Sequence, residues 1–313
     1  IIMATLLRSP TRKDSYSGVD SDTQEQMLFA VPKKGRLYSK VCEILGGAGV
    51  DFIRPNRLDV AKCTSLPLTL VFLPAADIAL YVSDGKVDMG ITGIDLIEES
   101  QAKVNVDMKL GFGKCRLCLQ APVADKVQSA QELVGKRIVT SFTNLAKKYF
   151  HALPGGEKTQ ISYVSGSVEA ACGLGLADGI VDLVETGTTM MAAGLEIIDV
   201  VLPTETVLIS RASGIDSPYA ELQKKLVQRF TGYLTAQKYN MMVYNVKEEH
   251  LEAAKKITPG LKAPTVMKLL MDDEEWYAIQ VMTLKTKTND IMDALSDIGA
   301  NGIFVMDIKN CRI

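Results

Sequence analysis

The sequence predicts an α/β protein in which two α/β lobes face each other across a cleft and a ferredoxin-like domain follows. Two observations support this fold class. Short apolar segments alternate with amphipathic helical segments from residue 27 onward, and continuous apolar strands are typical of parallel strands buried on both faces. The last 75 residues then follow the order β-α-β-β-α-β, which is the ferredoxin-like pattern.

Composition bounds the function classes. The chain has 313 residues, 47% of them hydrophobic and 23% charged, with a net charge of −2. These values are typical of a globular protein of two or three domains. They indicate no bulk attraction to nucleic acid or membrane, and no apolar run is long enough to span a bilayer. We therefore expect a cytoplasmic protein that binds neither nucleic acid nor membrane.

Residues 1–26 are predicted to be a disordered, solvated tail. They lack the continuous apolar core and the small-residue cleavage site of a signal peptide. An Arg-containing, Ser-rich transit peptide is disfavoured by the acidic residues Asp14, Asp20, Asp22 and Glu25.

The Cys-x-x-Cys pair of Cys115 and Cys118 could indicate a redox or zinc site. However, the segment KCRLCLQAP is typical of a strand, in which positions three apart point to opposite faces. Zinc needs about four ligands, and the two histidines, His151 and His250, are not next to a second cysteine pair. The six cysteines are interpreted as reduced packing residues.

The first lobe is predicted from residues 27–121, completed by residues 203–238. Its strands are MLFAVP, LPLTLVFL and VDMGITG, and its helices lie in KKGRLYSKVCEILGGAG, PAADIALYVSDG and IDLIEES. Pro and Asp in the first turn of the second helix, and Gly at the end of the first, are the expected boundary signals.

The second lobe is predicted from residues 122–202. Strands KRIVTSF, QISYVSG and GIVDLVETG alternate with helices TNLAKKYFHAL, SVEAACGLGLA and TTMMAAGL, and EIIDVVLPTETVLISR reads as a strand pair. Ligands of such folds bind at the carboxyl ends of the strands, between the lobes.

Residues 239–313 form the predicted ferredoxin-like domain. Its strands are MMVYNV, PTVMKLL, EEWYAIQVM and NGIFVMDI, with helices KEEHLEAAKKI and TNDIMDALSDIG. Since no catalytic cluster occurs in this stretch, we expect small-molecule sensing or oligomerisation.

The most informative motif is GIVDLVETGTTMMAAGL, residues 179–195. A buried strand delivers Asp182 and Glu185 to its end, and Thr186-Gly187-Thr188-Thr189 opens a helix. Gly187 permits backbone angles that turn successive N–H groups toward one point, and hydroxyls flank it. Thr and Gly are also ordinary helix caps. The neighbouring carboxylates decide between the two, because they can accept hydrogen bonds from ribose hydroxyls, and the motif therefore predicts a phosphorylated-ribose site.

From residue 27 to the end, the sequence resembles the long-form ATP phosphoribosyltransferases, in particular the fungal ones. The resemblance is carried by the following motifs: AVPKKGRL, RPNRLD, VDMGITG, GFGKCRL, VSGSVEA, DLVETGTTMMAAGL, TPGLKAPT and the terminal NCRI. It implies two lobes of the type II periplasmic-binding-protein kind and a C-terminal regulatory domain that binds histidine. It also implies Mg²⁺, and assembly into dimers and hexamers.

The resemblance implies roles for individual residues. Thr186, Gly187, Thr188 and Thr189 would hold the 5-phosphate of phosphoribosyl pyrophosphate, and Asp182 with Glu185 the ribose. Glu169, in GSVEA, is a further candidate for ribose or Mg²⁺, although a carboxylate at a helix start is equally an ordinary cap. Other phosphoribosyltransferases carry two adjacent acids before the T-G-x-T stretch, so their ribose contacts do not transfer to this spacing.

Candidates for binding ATP or pyrophosphate lie in the first lobe. Lys34 and Arg36 follow the first strand, where the cleft opens, and could contact phosphates. Arg57 in NRLD is a weaker candidate for the same anionic site. Gly90 and Gly93 in MGITG would let the backbone approach a nucleotide, although turn geometry alone also explains them.

In the regulatory domain the resemblance places histidine near TPGLKAPT, at Leu261 and Thr265, with Asn245 and Gly302 from nearby strand ends. Feedback inhibition by histidine is the expected consequence. From the residues alone, the prolines and glycine of this segment are typical of an ordinary loop.

The expected reaction is attack of adenine N1 of ATP on the anomeric carbon, with pyrophosphate leaving. N1 is unprotonated near neutral pH, so no catalytic base is expected. Positioning of the two polyanions would supply up to ~7–11 kcal/mol, with Mg²⁺ and basic groups stabilising the pyrophosphate.

Three alternatives compete with this reading. A non-catalytic nucleotide or amino-acid receptor would have the same architecture. Prephenate dehydratase also resembles two such lobes followed by a ferredoxin-like domain, but a dicarboxylate substrate does not need a phosphate loop. A purely structural assembly protein leaves the charged loop ends unexplained.

Overall fold

The computed structural model describes residues 26–54, 58–212, 217–270 and 274–312. The chain divides into two compact units. The first consists of residues up to Val41 together with Asp51–Ala220, and it contains two sheets. The second consists of Cys42–Val50 and Glu221–Ile313, and it contains one sheet.

The first sheet forms one lobe of the first unit, with strand order β2-β3-β1-β4-β11-β5. Strand β1 pairs in parallel with β3 and β4, whereas β2, β11 and β5 are antiparallel to their neighbours. All six residues of β1 are buried, as expected for a central parallel strand. The strands are β1 (Met27–Pro32), β2 (Val60–Lys62), β3 (Leu68–Leu73), β4 (Met89–Gly93), β5 (Val104–Lys109) and β11 (Thr206–Arg211).

Three helices follow strands of this sheet: α1 (Arg36–Gly47), α2 (Ala75–Ser83) and α3 (Ile94–Ser100). Helix α2 buries Ile78, Ala79 and Val82 against the strands. A Cβ at Gly90 would lie 2.6 Å from Cγ2 of Ile78. The glycine is therefore required for close packing of α2 on β4.

The second sheet forms the other lobe, with order β10-β6-β9-β7-β8. Its strands are β6 (Cys115–Pro122), β7 (Arg137–Thr140), β8 (Gln160–Tyr163), β9 (Gly179–Val184) and β10 (Leu195–Thr204). Its helices are α4 (Thr143–His151), α5 (Ala170–Gly173) and α6 (Thr188–Ala192). The segment SVEAACGLGLA, predicted to be a helix, forms only the four-residue α5, and TTMMAAGL, predicted to be a helix start, forms the five-residue α6. Glycines lie at or just after the C-terminal end of both helices.

The two sheets share one topology. Each has three parallel strands (β3-β1-β4 and β8-β7-β9), then an antiparallel strand (β11 or β6), then a last strand antiparallel to that one. The chain passes between the lobes twice, after β5 and after β10. This is the two-lobed arrangement that the resemblance implied, and it confirms the predicted fold class.

The domain boundaries differ from the predicted ones. Strand β6 belongs to the second sheet, so the first crossing lies between Lys109 and Cys115 rather than at 121/122. The second crossing lies between β10 and β11, at Glu205, rather than at 202/203. Apolar strands look alike in sequence whichever sheet they join, because pairing depends on long-range contacts.

Helix α7 (Ala220–Lys238) was predicted to complete the first lobe, but from Glu221 onward it belongs to the second unit. A Cβ at Gly232 would lie 2.0 Å from the carbonyl oxygen of Cys311, so the chain terminus packs directly on the helix. Arg229 also donates to the carbonyl of Gly49, at 3.0 Å.

The C-terminal sheet has order β13-β14-β12-β15, with β14 and β15 antiparallel to β12. This confirms the ferredoxin-like prediction. Its elements are β12 (Tyr239–Lys247), α8 (Leu251–Ile257), β13 (Thr265–Lys268), β14 (Trp276–Leu284), α9 (Thr288–Asp297) and β15 (Asn301–Asp307). Every second residue of β12 is buried, so one face of the sheet packs on the core that includes Leu295 of α9.

Within the described part of the chain, none of the helices has the length and apolarity needed to cross a membrane.

Candidate functional site

The central feature of the second lobe is the turn between β9 and α6. Gly187 has φ 81° and ψ 0° and precedes the first helical residue, Thr188. Only ordinary contacts surround a Cβ built there, the nearest at 3.6 Å. The need for glycine is therefore conformational: side chains rarely adopt this left-handed geometry.

This turn borders a cavity of about 310 Å³, which we call the turn cavity. It is lined by Cys115, Gln120, Glu169, Asp182, Leu183, Val184, Glu185, Thr186, Gly187, Thr189 and Met190. Six of the seven residues predicted for phosphoribosyl pyrophosphate are brought together here. The seventh, Thr188, does not line the cavity, and its hydroxyl lies 3.0 Å from that of Thr186.

The carboxylates of the turn cavity are electrostatically coupled. Burial is the main reason that the pKa of Asp182 is raised above its ordinary value, and the negative charge of Glu169 raises it further. The backbone N–H of Leu183 donates to Asp182 at 2.8 Å and offsets part of the shift. Hydrogen-bond donors or a cation placed between these carboxylates would relieve the repulsion.

The groups of this turn that could donate hydrogen bonds to an anion are its amides and hydroxyls, rather than aligned helix dipoles. Helix α6 has only five residues and α5 only four, so few peptide dipoles are aligned in either. The first backbone amides of α6 have no partner within their own helix, and the hydroxyls of Thr186 and Thr189 lie beside them.

A second cavity of about 510 Å³, the interlobe cavity, lies between the two lobes of the first unit. It meets the turn cavity at Cys115, Leu183 and Glu185, which line both. From the first lobe it is lined by Pro32, Lys34, Gly35, Leu37, Lys40, Ala75, Gly93, Asp95, Leu96, Glu205 and Thr206, and otherwise by Phe112, Gly113 and Phe142. Lys34 and Gly93, two of the residues predicted to contact ATP or pyrophosphate, therefore line this cavity.

The β4–α3 turn, in contrast, is closed by internal hydrogen bonds. The hydroxyl of Thr204 donates to Oδ1 of Asp95 at 2.7 Å and accepts from the amide of Asp95 at 3.1 Å. Burial raises the pKa of Asp95. A Cβ at Gly93 would lie 2.2 Å from Oδ1 of Asp95, so this glycine makes room for the carboxylate.

Three predicted candidates are not placed at either cavity. Gly90 lies within β4, where a Cβ would collide with α2, so the glycine is needed for helix packing. The prediction that Gly90 contacts the nucleotide is wrong, because this residue lines neither cavity. Arg36 is the first residue of α1, and the structure describes only its backbone. Arg57 lies outside the described residues.

Sequence reasoning missed several residues that line the cavities. Phe112 and Phe142 add aromatic surface to the interlobe cavity, and Phe112 stands between two glycines in GFGKCRL, a pattern that marks a turn but not a ligand contact. Gln120 was missed in the segment LCLQAP, where it is the polar residue that interrupts an apolar run. That interruption is the one signal from which it could have been found.

The four residues predicted for histidine are only partly brought together. Asn245 and Asn301 are paired in the sheet, and Nδ2 of Asn245 lies 3.2 Å from the position of a Cβ on Gly302. Thr265 of β13 pairs with Gln280 of β14, and β14 lies next to β12, the strand that contains Asn245. Leu261 lies instead at a separate cavity of about 330 Å³ near the end of α8, which none of the other three lines.

The cysteines carry thiols rather than disulfides, and all six lie within the described ranges. Cys118 is buried in β6. No group of three or more metal-ligating side chains occurs among the residues that the structure describes. A protein-only zinc site at Cys115 and Cys118 therefore finds no support there.

Comparison with known proteins gives a consistent result. A family profile described as "ATP phosphoribosyltransferase" matches residues 74–232, and one described as "HisG, C-terminal domain" matches residues 236–310. The chain is 47% identical to the ATP phosphoribosyltransferase of Kluyveromyces lactis, covering 92% of this chain and 97% of that protein. It is 48% identical to that of Yarrowia lipolytica, covering 94% and 99%.

Among solved structures, the chain is similar to one titled ATP phosphoribosyl transferase (HisG:HisZ) complex from Thermotoga maritima. The TM-score is 0.55 at 27% sequence identity, covering 66% of this chain and 94% of that chain.

Proposed function

We propose, from the premise that this chain belongs to the ATP phosphoribosyltransferase family, that it binds phosphoribosyl pyrophosphate in the turn cavity and ATP in the interlobe cavity. Family membership makes it a pentosyltransferase at the first step of histidine biosynthesis. The placement of the two substrates is our proposal.

One observation carries the placement. The turn cavity combines a left-handed Gly187 turn, flanked by threonine hydroxyls, with the carboxylates of Glu169, Asp182 and Glu185. Amides and hydroxyls are donors suited to a phosphate, whereas carboxylates are acceptors suited to sugar hydroxyls. A ligand that carries a phosphate at one end and hydroxyls next to it fits both.

The interlobe cavity suits the nucleotide. Phe112, Phe142 and Leu37 offer apolar and aromatic surface for a base, and Lys34 and Lys40 offer positive charge for phosphates. Because Glu185 and Cys115 line both cavities, a base in one cavity would lie beside a ribose in the other. We propose contacts with ATP for Lys34 and for the other described residues that line this cavity.

Mg²⁺ is part of the proposal. Glu169 and Asp182 both line the turn cavity, and the negative charge of Glu169 contributes to the raised pKa of Asp182. Mg²⁺ is usually held by one or two carboxylates together with substrate phosphates, so Glu169 and Asp182 fit a site completed by the substrate. When bound, the ion would neutralise charge on the pyrophosphate.

The proposed reaction forms one bond and breaks one. The lone pair of adenine N1 forms a bond with the anomeric carbon, and the bond from that carbon to the pyrophosphate oxygen breaks with its electron pair. The described residues would hold the two substrates in line. Asp182 and Glu185 would stabilise positive charge that develops on the ribose. N1 requires no deprotonation, so no catalytic base is proposed.

The direct test mixes the purified full chain with ATP, phosphoribosyl pyrophosphate and Mg²⁺. It monitors pyrophosphate release and the absorbance of N1-substituted adenine. Product formation is expected. Binding of both compounds without pyrophosphate release would indicate a receptor rather than an enzyme, and turnover of prephenate in place of ATP would indicate a dehydratase.

The placement is tested with Thr189→Val, which removes a hydroxyl of the turn cavity, against Thr286→Val, an exposed threonine of the second unit. We expect the KM for phosphoribosyl pyrophosphate to rise about 10–100-fold in the first variant, the effect of one hydrogen bond to a charged group. An unchanged KM would contradict the phosphate position.

Histidine inhibition is the proposed role of the C-terminal domain. It is supported by the ferredoxin-like fold and by the proximity of Asn245 to Gly302. Leu261 and Thr265 are included in the proposed histidine site because of the resemblance to the family. Saturating histidine should lower the rate, and Gly302→Val, which would crowd Asn245, should weaken inhibition more than the rate. A rate that does not respond to histidine would refute this role.

Assembly into dimers and hexamers, and a cytoplasmic location that suits six thiols, are also proposed. Sedimentation at several protein concentrations with and without histidine would test the first.

A further inference from the structure

The turn cavity contains one polar side chain that neither the predicted phosphate contacts nor the predicted ribose contacts include. Gln120 lies in β6, is only 2% exposed and lines the cavity. Buried amides without a structural or ligand-binding purpose are costly, because their polar atoms lose water.

The nitrogen of the Gln120 amide already has a hydrogen-bond partner within the protein. Nε2 of Gln120 donates to the carbonyl oxygen of Asp182 at 3.2 Å. Within the described residues, this is the side-chain hydrogen bond that Gln120 makes. One of the two N–H groups of Nε2 is thus used, and this bond orients the amide beside Asp182.

The sheet register explains why the two residues meet. Gln120 pairs with Ile180 across the β6–β9 ladder, and Cys118 pairs with Asp182. Side chains two residues apart on a strand share a face, so Gln120 and Asp182 lie on the same face of the sheet. Both residues line the turn cavity.

Resting on the proposed function, we infer that Gln120 is a positioning and specificity residue for the ribose of phosphoribosyl pyrophosphate. Its amide oxygen is an acceptor for a ribose hydroxyl, and its amide nitrogen fixes the main chain at Asp182. An uncharged acceptor adds a contact to the sugar without adding negative charge to a cavity that already holds three carboxylates.

A purely structural glutamine would behave differently. If Gln120 only supported the carbonyl of Asp182, its replacement would weaken all ligands of the cavity equally. If its oxygen contacts the sugar, replacement would reduce discrimination between ribose and sugars that lack one hydroxyl.

The test compares ribose 5-phosphate with its 2-deoxy and 3-deoxy analogues as ligands of the full chain, by calorimetry or as inhibitors. In Gln120→Met we expect the preference for ribose 5-phosphate over one of the deoxy sugars to fall about fivefold, the effect of one hydrogen bond. The KM for phosphoribosyl pyrophosphate should rise by a similar factor while the KM for ATP stays within twofold.

Gln128→Met is the matched control. Nε2 of Gln128 also donates to a backbone carbonyl, that of Lys126, at 3.1 Å, but this glutamine is exposed and does not line the cavity. Both preferences should be unchanged in this variant.

Gln120→Glu covers the case in which Gln120→Met does not fold. It keeps an acceptor oxygen at the same side-chain length, so the preference among the three sugars should be retained although all three bind more weakly.

The inference is overturned if Gln120→Met retains both preferences, or if Gln120→Glu loses them. Its failure is distinguishable from that of the proposed function. A wild-type protein that forms no N1-substituted product disproves the function, whereas normal wild-type turnover with undisturbed sugar preference in Gln120→Met disproves only the role of Gln120.

Discussion

Two turns of the first unit look alike in sequence and differ in what they can bind. The segments GITGID, at the junction of β4 and α3, and DLVETGTT, at the junction of β9 and α6, each combine a glycine with one or two acidic residues where a buried strand gives way to a helix. In the first, Thr204 from the adjacent crossing supplies hydrogen bonds to Asp95. In the second, the carboxylates and hydroxyls line an open cavity.

The two glycines serve different purposes. Gly93 has extended backbone angles, φ −90° and ψ 151°, and leaves room for a carboxylate, whereas Gly187 has φ 81°. Asp95 of the first turn thus has a side-chain partner within the protein although it also lines the interlobe cavity, whereas the hydrogen bond described for the carboxylate of Asp182 comes from the adjacent amide of Leu183. Substitutions should therefore affect stability in the first turn and binding in the second.

Replacement of the central carboxylate should have the largest effect. Asp182→Asn is expected to lower kcat/KM for phosphoribosyl pyrophosphate about 100-fold, because a hydrogen bond to a charged group contributes up to ~3 kcal/mol. Steady-state kinetics with ATP held saturating measures it. A reduction below threefold would mean that the sugar lies elsewhere.

The glycine variants separate the two turns. Gly187→Ala forces an alanine into left-handed geometry at a cost of about 1–2 kcal/mol, and stability should fall by up to this amount. Because relaxation of the strained turn would move its amides and hydroxyls, we also expect a roughly tenfold higher KM for phosphoribosyl pyrophosphate. Gly93→Ala introduces no backbone strain but displaces Asp95, so thermal stability should fall while the KM for phosphoribosyl pyrophosphate stays unchanged. Because Gly93 lines the interlobe cavity, the KM for ATP is measured in both variants. An equal rise of the KM for phosphoribosyl pyrophosphate in both variants would contradict the contrast.

Removal of one hydroxyl from each turn is a finer comparison. Thr204→Val leaves the buried Asp95 without its side-chain partner and should destabilise the protein by about 1–3 kcal/mol in denaturant unfolding. Thr186→Val, at an exposed hydroxyl, should change stability by less than about 0.5 kcal/mol. A destabilisation of similar size in both would show that the second turn is also closed internally.

The smallest expected effect concerns pH. Burial raises the pKa of Asp182 in the folded state above its ordinary value of 3.8. Between pH 3.8 and this raised pKa, the folded state therefore binds more protons than the unfolded state. Linkage then makes stability fall as pH rises through this window, and the loss persists above it. Asp182→Asn should therefore have a higher Tm than the wild type at pH 7, and the difference should narrow toward pH 4. A difference that does not change with pH would contradict the burial of this carboxylate.

Much of this protein was predictable from local pattern. The buried β1, the left-handed turn at Gly187 and the β-α-β-β-α-β order of the last domain follow from apolar runs, glycine placement and spacing. These features depend on neighbours within a few residues, where chain geometry leaves few choices.

Tertiary structure alone decided which strands share a sheet and which polar groups meet. Strand β6 joins the second sheet, and α7 joins the C-terminal unit. Gln120 reaches Asp182, which is 62 residues later in the chain, and Thr204 reaches Asp95 across 109 residues. These long-range contacts decide whether a buried carboxylate has a hydrogen-bond partner within the protein or remains available to a ligand. A local sequence pattern does not predict them, because the residues that meet are far apart in the chain.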